Sequence, residues 1–270
     1  GPAERNEIAE ALERLANAKK DGLSPTLDDF LAQVQSNTIR EAMRQYGVEG
    51  VMGDLLAASE DGLNLSRFTV FEVEKLMELG DKWSLPVLDY LFRRIQKALR
   101  GQPAWLFLDE AWLMLQHPVF ASKIREWLKV LRKANCAVVM ATQNLDDFAG
   151  STIFTEIVQS TASKIFLPNV HARNEDTAEV YKRMGLNNQQ INIIAKAEAK
   201  RHYYHVTEDG KRLFELALGP VARCFVAASD KDSIAAIQKL QEQYGADWPD
   251  VWVRERTGLE LKDYYAGFAA

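Results

Sequence analysis

Hydrophobic positions recur at helical spacing through the first quarter of the chain. Between Glu4 and Lys20, Ile8, Leu12 and Leu15 stand three or four residues apart among charges, which predicts an amphipathic helix. Ser24-Pro25-Thr26 then opens a second helix, because a proline near a helix start gives up an amide that would have had no partner. That helix carries Leu27, Phe30, Leu31 and Val34 and runs toward Tyr46-Gly47. A short helix is expected near residues 51–58, before the Asp61-Gly62 turn. No strand-like run precedes that turn, so residues 3–66 are expected to form a helical segment.

From Phe68 the periodicity changes. Phe68-Thr69-Val70-Phe71 reads as a short β run ending in Glu72, and an amphipathic helix follows over residues 85–100, stopped by Gly101. Residues 104–108, Ala-Trp-Leu-Phe-Leu, form a continuous apolar strand that ends in Asp109-Glu110. A helix over 119–133 places Ile124, Trp127, Leu128 and Leu131 on one face. A second apolar run from Cys136 ends in Thr142-Gln143, and a third, Ser163–Leu167, is closed by Pro168-Asn169. Apolar strands alternating with helices predict an α/β fold with a mostly parallel sheet covered on both faces. Beyond a helix near 176–184, the runs 201–206 and 212–216 flank Glu208-Asp209-Gly210 as a hairpin. Val221–Ala228 reads as a further strand, and the last forty residues as helices over 233–244 and 259–265. These shifts divide the chain into a helical segment (3–66), a core (67–228) and a C-terminal helical region (229–270).

Composition narrows this picture in three ways. With 33 Lys+Arg against 38 Asp+Glu, the net charge of −5 argues against a chain whose main task is coating nucleic acid. No apolar run approaches the ~20 residues of a bilayer span. The two cysteines, Cys136 and Cys224, lie far apart in apolar runs and read as buried thiols of a reducing compartment. Gly1-Pro2 is what a cleaved tag leaves behind, so the chain is expected to be a piece of something longer.

In an open parallel sheet, ligands bind beyond the carboxyl ends of the strands. Two runs end there in polar residues, Asp109-Glu110 and Thr142-Gln143. In nucleotide hydrolysis the aspartate would hold Mg²⁺ through its water shell and the glutamate would orient or deprotonate the attacking water. A glutamine on the next strand would report the γ-phosphate. The bland alternative is that the two acids cap the following helix against its dipole. The phosphate-cradling pattern G-x-x-x-x-G-K-[ST] is absent from the 270 residues; Gly80-Asp81-Lys82-Trp83 fails on spacing and on the missing hydroxyl. Arg132-Lys133 can complement a helix C-terminus, or Arg132 can reach a neighbouring subunit's nucleotide. His202 and His205, three apart in a strand, point to opposite faces and cannot share one zinc. Trp248, Trp252 and Arg254 are expected to pack or anchor helices.

Several of these stretches, in order, resemble the C-terminal ATPase domain of the CagE/TrbE/VirB family. They are Phe68–Glu72, Leu106–Trp112, Leu131–Asn135, Ala141-Thr142-Gln143, Leu167-Pro168-Asn169, Tyr181–Leu186, Lys200–Tyr204 and Leu216–Pro220. Asp247-Trp248-Pro249 with Trp252 is similar to the TrbE-like conjugal-transfer branch. The resemblance implies a RecA-like fold of the FtsK/HerA type and Mg-ATP hydrolysis between subunits of a hexameric ring. It also implies a cytoplasmic position, peripheral to the inner membrane, at a type IV secretion channel. Asp109 and Thr142 would then lie on the cofactor side and Glu110 would be the catalytic acid. Gln143 would be the sensor and Arg132 a finger in trans. In the family the phosphate loop lies N-terminal to these stretches, so ATP is not expected to bind tightly to this chain alone. DNA binding is possible but not indicated, and a DNA-pumping motor of the same fold is the related alternative. Asp109–Trp112 with Ala141-Thr142-Gln143 also loosely resembles superfamily-two RNA helicases, although nothing after Pro168 matches their second lobe. The non-enzymatic alternative is a partner-docking module.

Overall fold

The structure, a computed structural model, describes residues 1–20, 24–58, 60–111, 115, 118–143 and 145–266, so Trp112 of the Asp-Glu stretch lies outside the described residues. Two compact units emerge, Gly1–Phe154 and Thr155–Ala270.

The first unit opens with helices α1 (Pro2–Lys20), α2 (Leu27–Gln33), α3 (Asn37–Arg44) and α4 (Gly53–Leu56). Thr26 starts α2 through a capping box. Its hydroxyl accepts from the Asp29 amide at 3.3 Å, while the Asp29 carboxylate accepts from the Thr26 amide at 2.7 Å. The single helix expected from Ser24 to Tyr46 is divided in two. Val34 turns extended and is fully buried, and the Glu7 carboxylate of α1 accepts from the Gln35 and Ser36 amides at the start of α3. Helix continuation loses to that cap and to burial of Val34 with Ala11, Phe30 and Ile39.

Phe68–Phe71 is irregular, with a bend at Phe68, and is not a strand. Its backbone meets no ladder partner among the described residues, and the Ser66 amide instead donates to the Thr69 hydroxyl at 3.0 Å. Phe68 is 84% exposed. Helices α5 (Glu74–Glu78) and α6 (Asp81–Ala98) follow, then strand β1 (Ala104–Leu108), helix α7 (Pro118–Lys133) and strand β2 (Cys136–Met140). The unit ends with α8 (Leu145–Ala149), and α9 (Phe154–Ser160) spans the boundary. Strands β1 and β2 pair in parallel, with Ala104 opposite Cys136 and Leu108 opposite Met140. Helix α7 lies against β2, and its buried face, Ala121, Ile124, Trp127 and Leu131, belongs to the unit's core. Phe92 of α6 meets Trp127 at 4.0 Å between ring centroids and Phe120 edge-on at 6.1 Å.

Among the described residues the sheet of this unit is covered on one face only, against the two-sided cover that its apolar strands predict. Trp105 and Phe107 are 69% and 68% exposed, their rings stacked 6.1 Å apart.

In the second unit, β3 (Lys164–Phe166) is followed by α10 (Glu175–Arg183), α11 (Asn188–Lys196), β4 (His202–Val206) and β5 (Lys211–Glu215). The hairpin forms as expected. The third apolar run, however, joins it antiparallel, in the order β3-β4-β5, rather than extending a parallel sheet. Phe166 meets Tyr181 edge-on, and burial raises the Tyr181 phenol above its ordinary range. His205 pairs with Ser163 at 2.7 Å, and the His202 Nδ1 accepts from the Glu198 amide at 3.0 Å.

The expected strand over Val221–Ala228 is instead helix α12 (Pro220–Val226). Gly219 at the cap and Pro220 in the first turn are helix-start signals, and they outweigh the β-like apolar run, Cys224 included. Helices α13 (Lys231–Tyr244), α14 (Trp248–Thr257) and α15 (Leu261–Ala266) complete the unit. Trp252 is buried beside Leu240 and Val251 and donates to the Cys224 carbonyl at 2.9 Å, which is the packing role expected of it. No helix among the described residues is long and apolar enough to cross a membrane.

Phe92→Ala is expected to destabilise the first unit by about 3–5 kcal/mol, since it removes a buried ring flanked by two others. Urea unfolding followed by tryptophan fluorescence reads this, and a loss below about 1 kcal/mol contradicts the packing.

In the second unit Arg201 pairs with Glu215 at 2.8 Å, and the guanidinium bond holds the Glu215 carboxyl below its ordinary value. A depressed folded-state value means that the pair's contribution is complete above the unfolded glutamate range and is lost as pH falls through the depressed value. Arg201→Gln should return Glu215 to the ordinary range in a carboxyl NMR titration. An unmoved titration would remove the pair as its cause.

Candidate functional site

The site is set by backbone pairing that continues past the two parallel strands. At the amino ends, the Ala104 amide donates to the Asn135 carbonyl at 3.1 Å, and the Asn135 side chain donates to the Gly101 carbonyl at 3.1 Å. Asn135 holds a left-handed φ of 58°, which asparagine tolerates better than most residues. Sequence reasoning places Asn135 in a motif but misses this structural role. The available signal is an asparagine between a helix and an apolar strand.

At the carboxyl ends, the Ala141 amide donates to the Leu108 carbonyl at 2.9 Å, and the Ala111 amide donates to the Ala141 carbonyl at 3.0 Å. These bonds lock residues 109–111 beside 141–143. Asp109 is exposed, and one of its oxygens accepts from the Glu110 amide at 3.0 Å. Glu110 is half-buried with φ at 49°, in the left-handed region. Such a conformation costs a non-glycine residue about 1–3 kcal/mol and is found where surrounding structure imposes it. Thr142 is half-buried and Gln143 exposed. The Gln143 Nε2 donates to Glu110 Oε1 at 2.6 Å.

Asp109, Glu110, Thr142 and Gln143 are thus brought together at one edge of the sheet, as the strand endings predicted. Arg132 is not among them. It is exposed at the end of α7, just before β2 begins, at the opposite edge. Two edges separated by a five-residue strand stand about 16 Å apart at 3.3 Å per residue. The two acids are hard oxygen ligands of the kind Mg²⁺ takes rather than a soft metal, although among the described residues no group of three or more such side chains is placed to hold a metal ion.

The family model of the TraG P-loop domain matches residues 30–217. The chain belongs to that family. It is 50% identical over 255 residues to a probable conjugal transfer protein of the TrbE type from Sinorhizobium fredii, covering 94% of this chain and 38% of that protein. It is equally 50% identical to the conjugal transfer protein TrbE of Rhizobium radiobacter, covering 94% of this chain and 31% of the relative. The chain therefore spans about a third of the length of these relatives, the TrbE branch that its tryptophan-rich C-terminal stretch indicated. Among solved structures, VirB4 of Thermoanaerobacter pseudethanolicus matches with a TM-score of 0.55 at 17% identity. That match covers 73% of this chain and 56% of the other, and it supports the α/β fold.

Proposed function

We propose that this chain is the C-terminal portion of a cytoplasmic Mg-ATPase that powers assembly of, and transport through, a bacterial type IV secretion or conjugation system. The observation that carries the reading is the Glu110–Gln143 hydrogen bond beside Asp109, at the carboxyl ends of parallel strands in a P-loop family chain. On this reading residues 67–228 belong to a RecA-like core of the FtsK/HerA type. Residues 3–66 form its helical segment and 229–270 its C-terminal helical region.

The exposed Asp109 carboxylate would hold Mg²⁺ through water, with Thr142 on the same cofactor side. The metal supplies charge neutralisation to phosphate oxygens. Glu110 orients the attacking water and takes its proton on a carboxylate oxygen. Gln143, next to it, offers an amide donor to the terminal phosphate. The phosphate-binding loop is not among these 270 residues, so the chain alone is expected to be inactive.

Arg132, at the far edge, would act on a neighbour's nucleotide. An edge of one subunit that complements the opposite edge of the next is a heterologous contact, the kind that closes into rings such as the proposed hexamer. The channel's inner-membrane components are the proposed partners, with the ATPase peripheral on their cytoplasmic side.

A second reading, a partner-docking module, draws support from the exposed Trp105–Phe107 face. Steady-state ATP turnover by a polypeptide of the relatives' full length decides between the two. Glu110→Gln is expected to lower turnover by about 10²–10⁴-fold while nucleotide binding persists, because only the water-activating group is lost. Asp109→Ala should weaken Mg²⁺-dependent binding as well. Undiminished turnover in Glu110→Gln overturns the hydrolytic assignment. Absent turnover in the oligomeric wild type, together with tight binding to a channel component, selects the docking module.

A further inference from the structure

We propose that the amino edge of the β1–β2 pair is a cationic docking face whose partner is the acidic carboxyl edge of a second copy of this chain, joined head to tail. This rests on the subunit ring proposed above and adds which charges join its members, beyond the one arginine assigned to a neighbour's nucleotide.

The cationic face is assembled by the same bonds that fix the strand register. Helix α6 ends shortly before β1 and α7 shortly before β2, and the Asn135 side chain on the Gly101 carbonyl at 3.1 Å ties the two junctions together. Arg100 and Lys133 stand within two residues of that tie, with Arg132 beside them and Lys129 one turn back on α7. All four are exposed, and their side chains make no hydrogen bond or ion pair among the described residues. No Asp or Glu lies between Tyr90 and Leu108, or between Trp127 and Leu145, to offset them in the sequence.

The carboxyl edge has the opposite composition. Asp109 and Glu110 follow β1, Asp146 and Asp147 open α8 after β2, and residues 101–122 and 134–154 contain no Lys or Arg. The two edges stand about 16 Å apart, about two Debye lengths at physiological ionic strength, so the exposed ends of one copy attract each other weakly.

Helix termini account for only part of the cationic cluster. Arg132 and Lys133 occupy the last turn of α7, against its dipole, but Lys129 lies before that turn and Arg100 beyond the end of α6. A head-to-tail copy sets the cationic edge against the acidic one, and the chain itself carries both halves of the contact. The net charge of −5 disfavours nucleic acid as the partner. Repeating the contact leaves one unmatched edge at each end of an open row, and closing the ring matches both.

Sedimentation velocity of a polypeptide of the relatives' full length, without nucleotide, tests the contact. The wild type is expected to associate, and the association to weaken as salt rises. Arg100→Glu with Lys133→Glu removes the cationic edge, and Asp109→Lys with Asp146→Lys the acidic one. Each pair is expected to raise the Kd of self-association about tenfold or more. Lys231→Glu with Lys239→Glu on α13 makes the same change of net charge as the first pair and should leave association unchanged. Mixed together, the two edge variants should form a pair and stop there, because each keeps the edge that the other lacks.

Association of the Arg100 and Lys133 variant at wild-type strength overturns the proposal, whether or not the acidic-edge variant folds. Loss of binding to a DNA oligonucleotide or to phosphatidylglycerol vesicles in that variant, with sedimentation unchanged, overturns it too and gives the face to another polyanion. A wild type that stays monomeric removes the ring itself. Undiminished turnover in Glu110→Gln removes the hydrolytic reading and leaves the sedimentation results standing, so the two failures are read separately.

Discussion

The parallel pairing of β1 with β2 is the constraint on which the candidate site depends. Two side chains separated by 32 residues in the chain meet because Leu108 stands opposite Met140 and the pairing runs on past both strands. A slip of one residue would turn Glu110 away from Gln143 and exchange the buried and exposed faces of the strand that moved. Asn135 opposes such a slip at one end, through its carbonyl on Ala104 and its side chain on the Gly101 carbonyl. The α7 face containing Ile124, Trp127 and Leu131 opposes it along the length, since only one register buries Leu108 and Cys136.

Much of this was legible in the sequence because its signals were local. Continuous apolar runs ending in Asp109-Glu110 and Thr142-Gln143 fixed the strands and their polar ends. The Glu208-Asp209-Gly210 turn fixed the hairpin. What could not be read was what depends on distant partners. An apolar run carries no mark of direction, so Lys164–Phe166 was expected in a parallel sheet and is found antiparallel to β4. Phe68–Phe71 has the composition of a strand but no ladder partner among the described residues. The run after Gly219-Pro220 is a different case, because there the helix-start signal was present and its apolar content masked it. The left-handed turn at Glu110 has no local signature, since glutamate does not favour it.

The one-sided sheet follows from the same distinction. A strand reading Ala-Trp-Leu-Phe-Leu lacks the alternation of a half-solvated sheet, so its composition is that of burial on both faces. In this chain α7 covers one face, while Trp105 and Phe107 stack on each other in solvent. Stacking removes some apolar area from water, and each square ångström left exposed forgoes about 25 cal/mol of burial. The relatives of which this chain spans about a third have further polypeptide with which to cover such a face.

The position of Arg132 bears on how such a site would be shared. An arginine meant to serve the nucleotide of its own subunit belongs at the edge that holds Asp109 and Glu110. Arg132 instead lies in the last turn of α7, and the five-residue length of β2 separates it from Gln143. There it is placed as a cation against its own helix dipole, and on the proposed reading it serves a different subunit. The first role requires only charge, which Lys133 supplies from the next position. The second requires the planar, multiply donating head that arginine has and lysine lacks. A head-to-tail neighbour would give that head a phosphate to meet, and repeated around a ring the same contact would make each site depend on the next subunit.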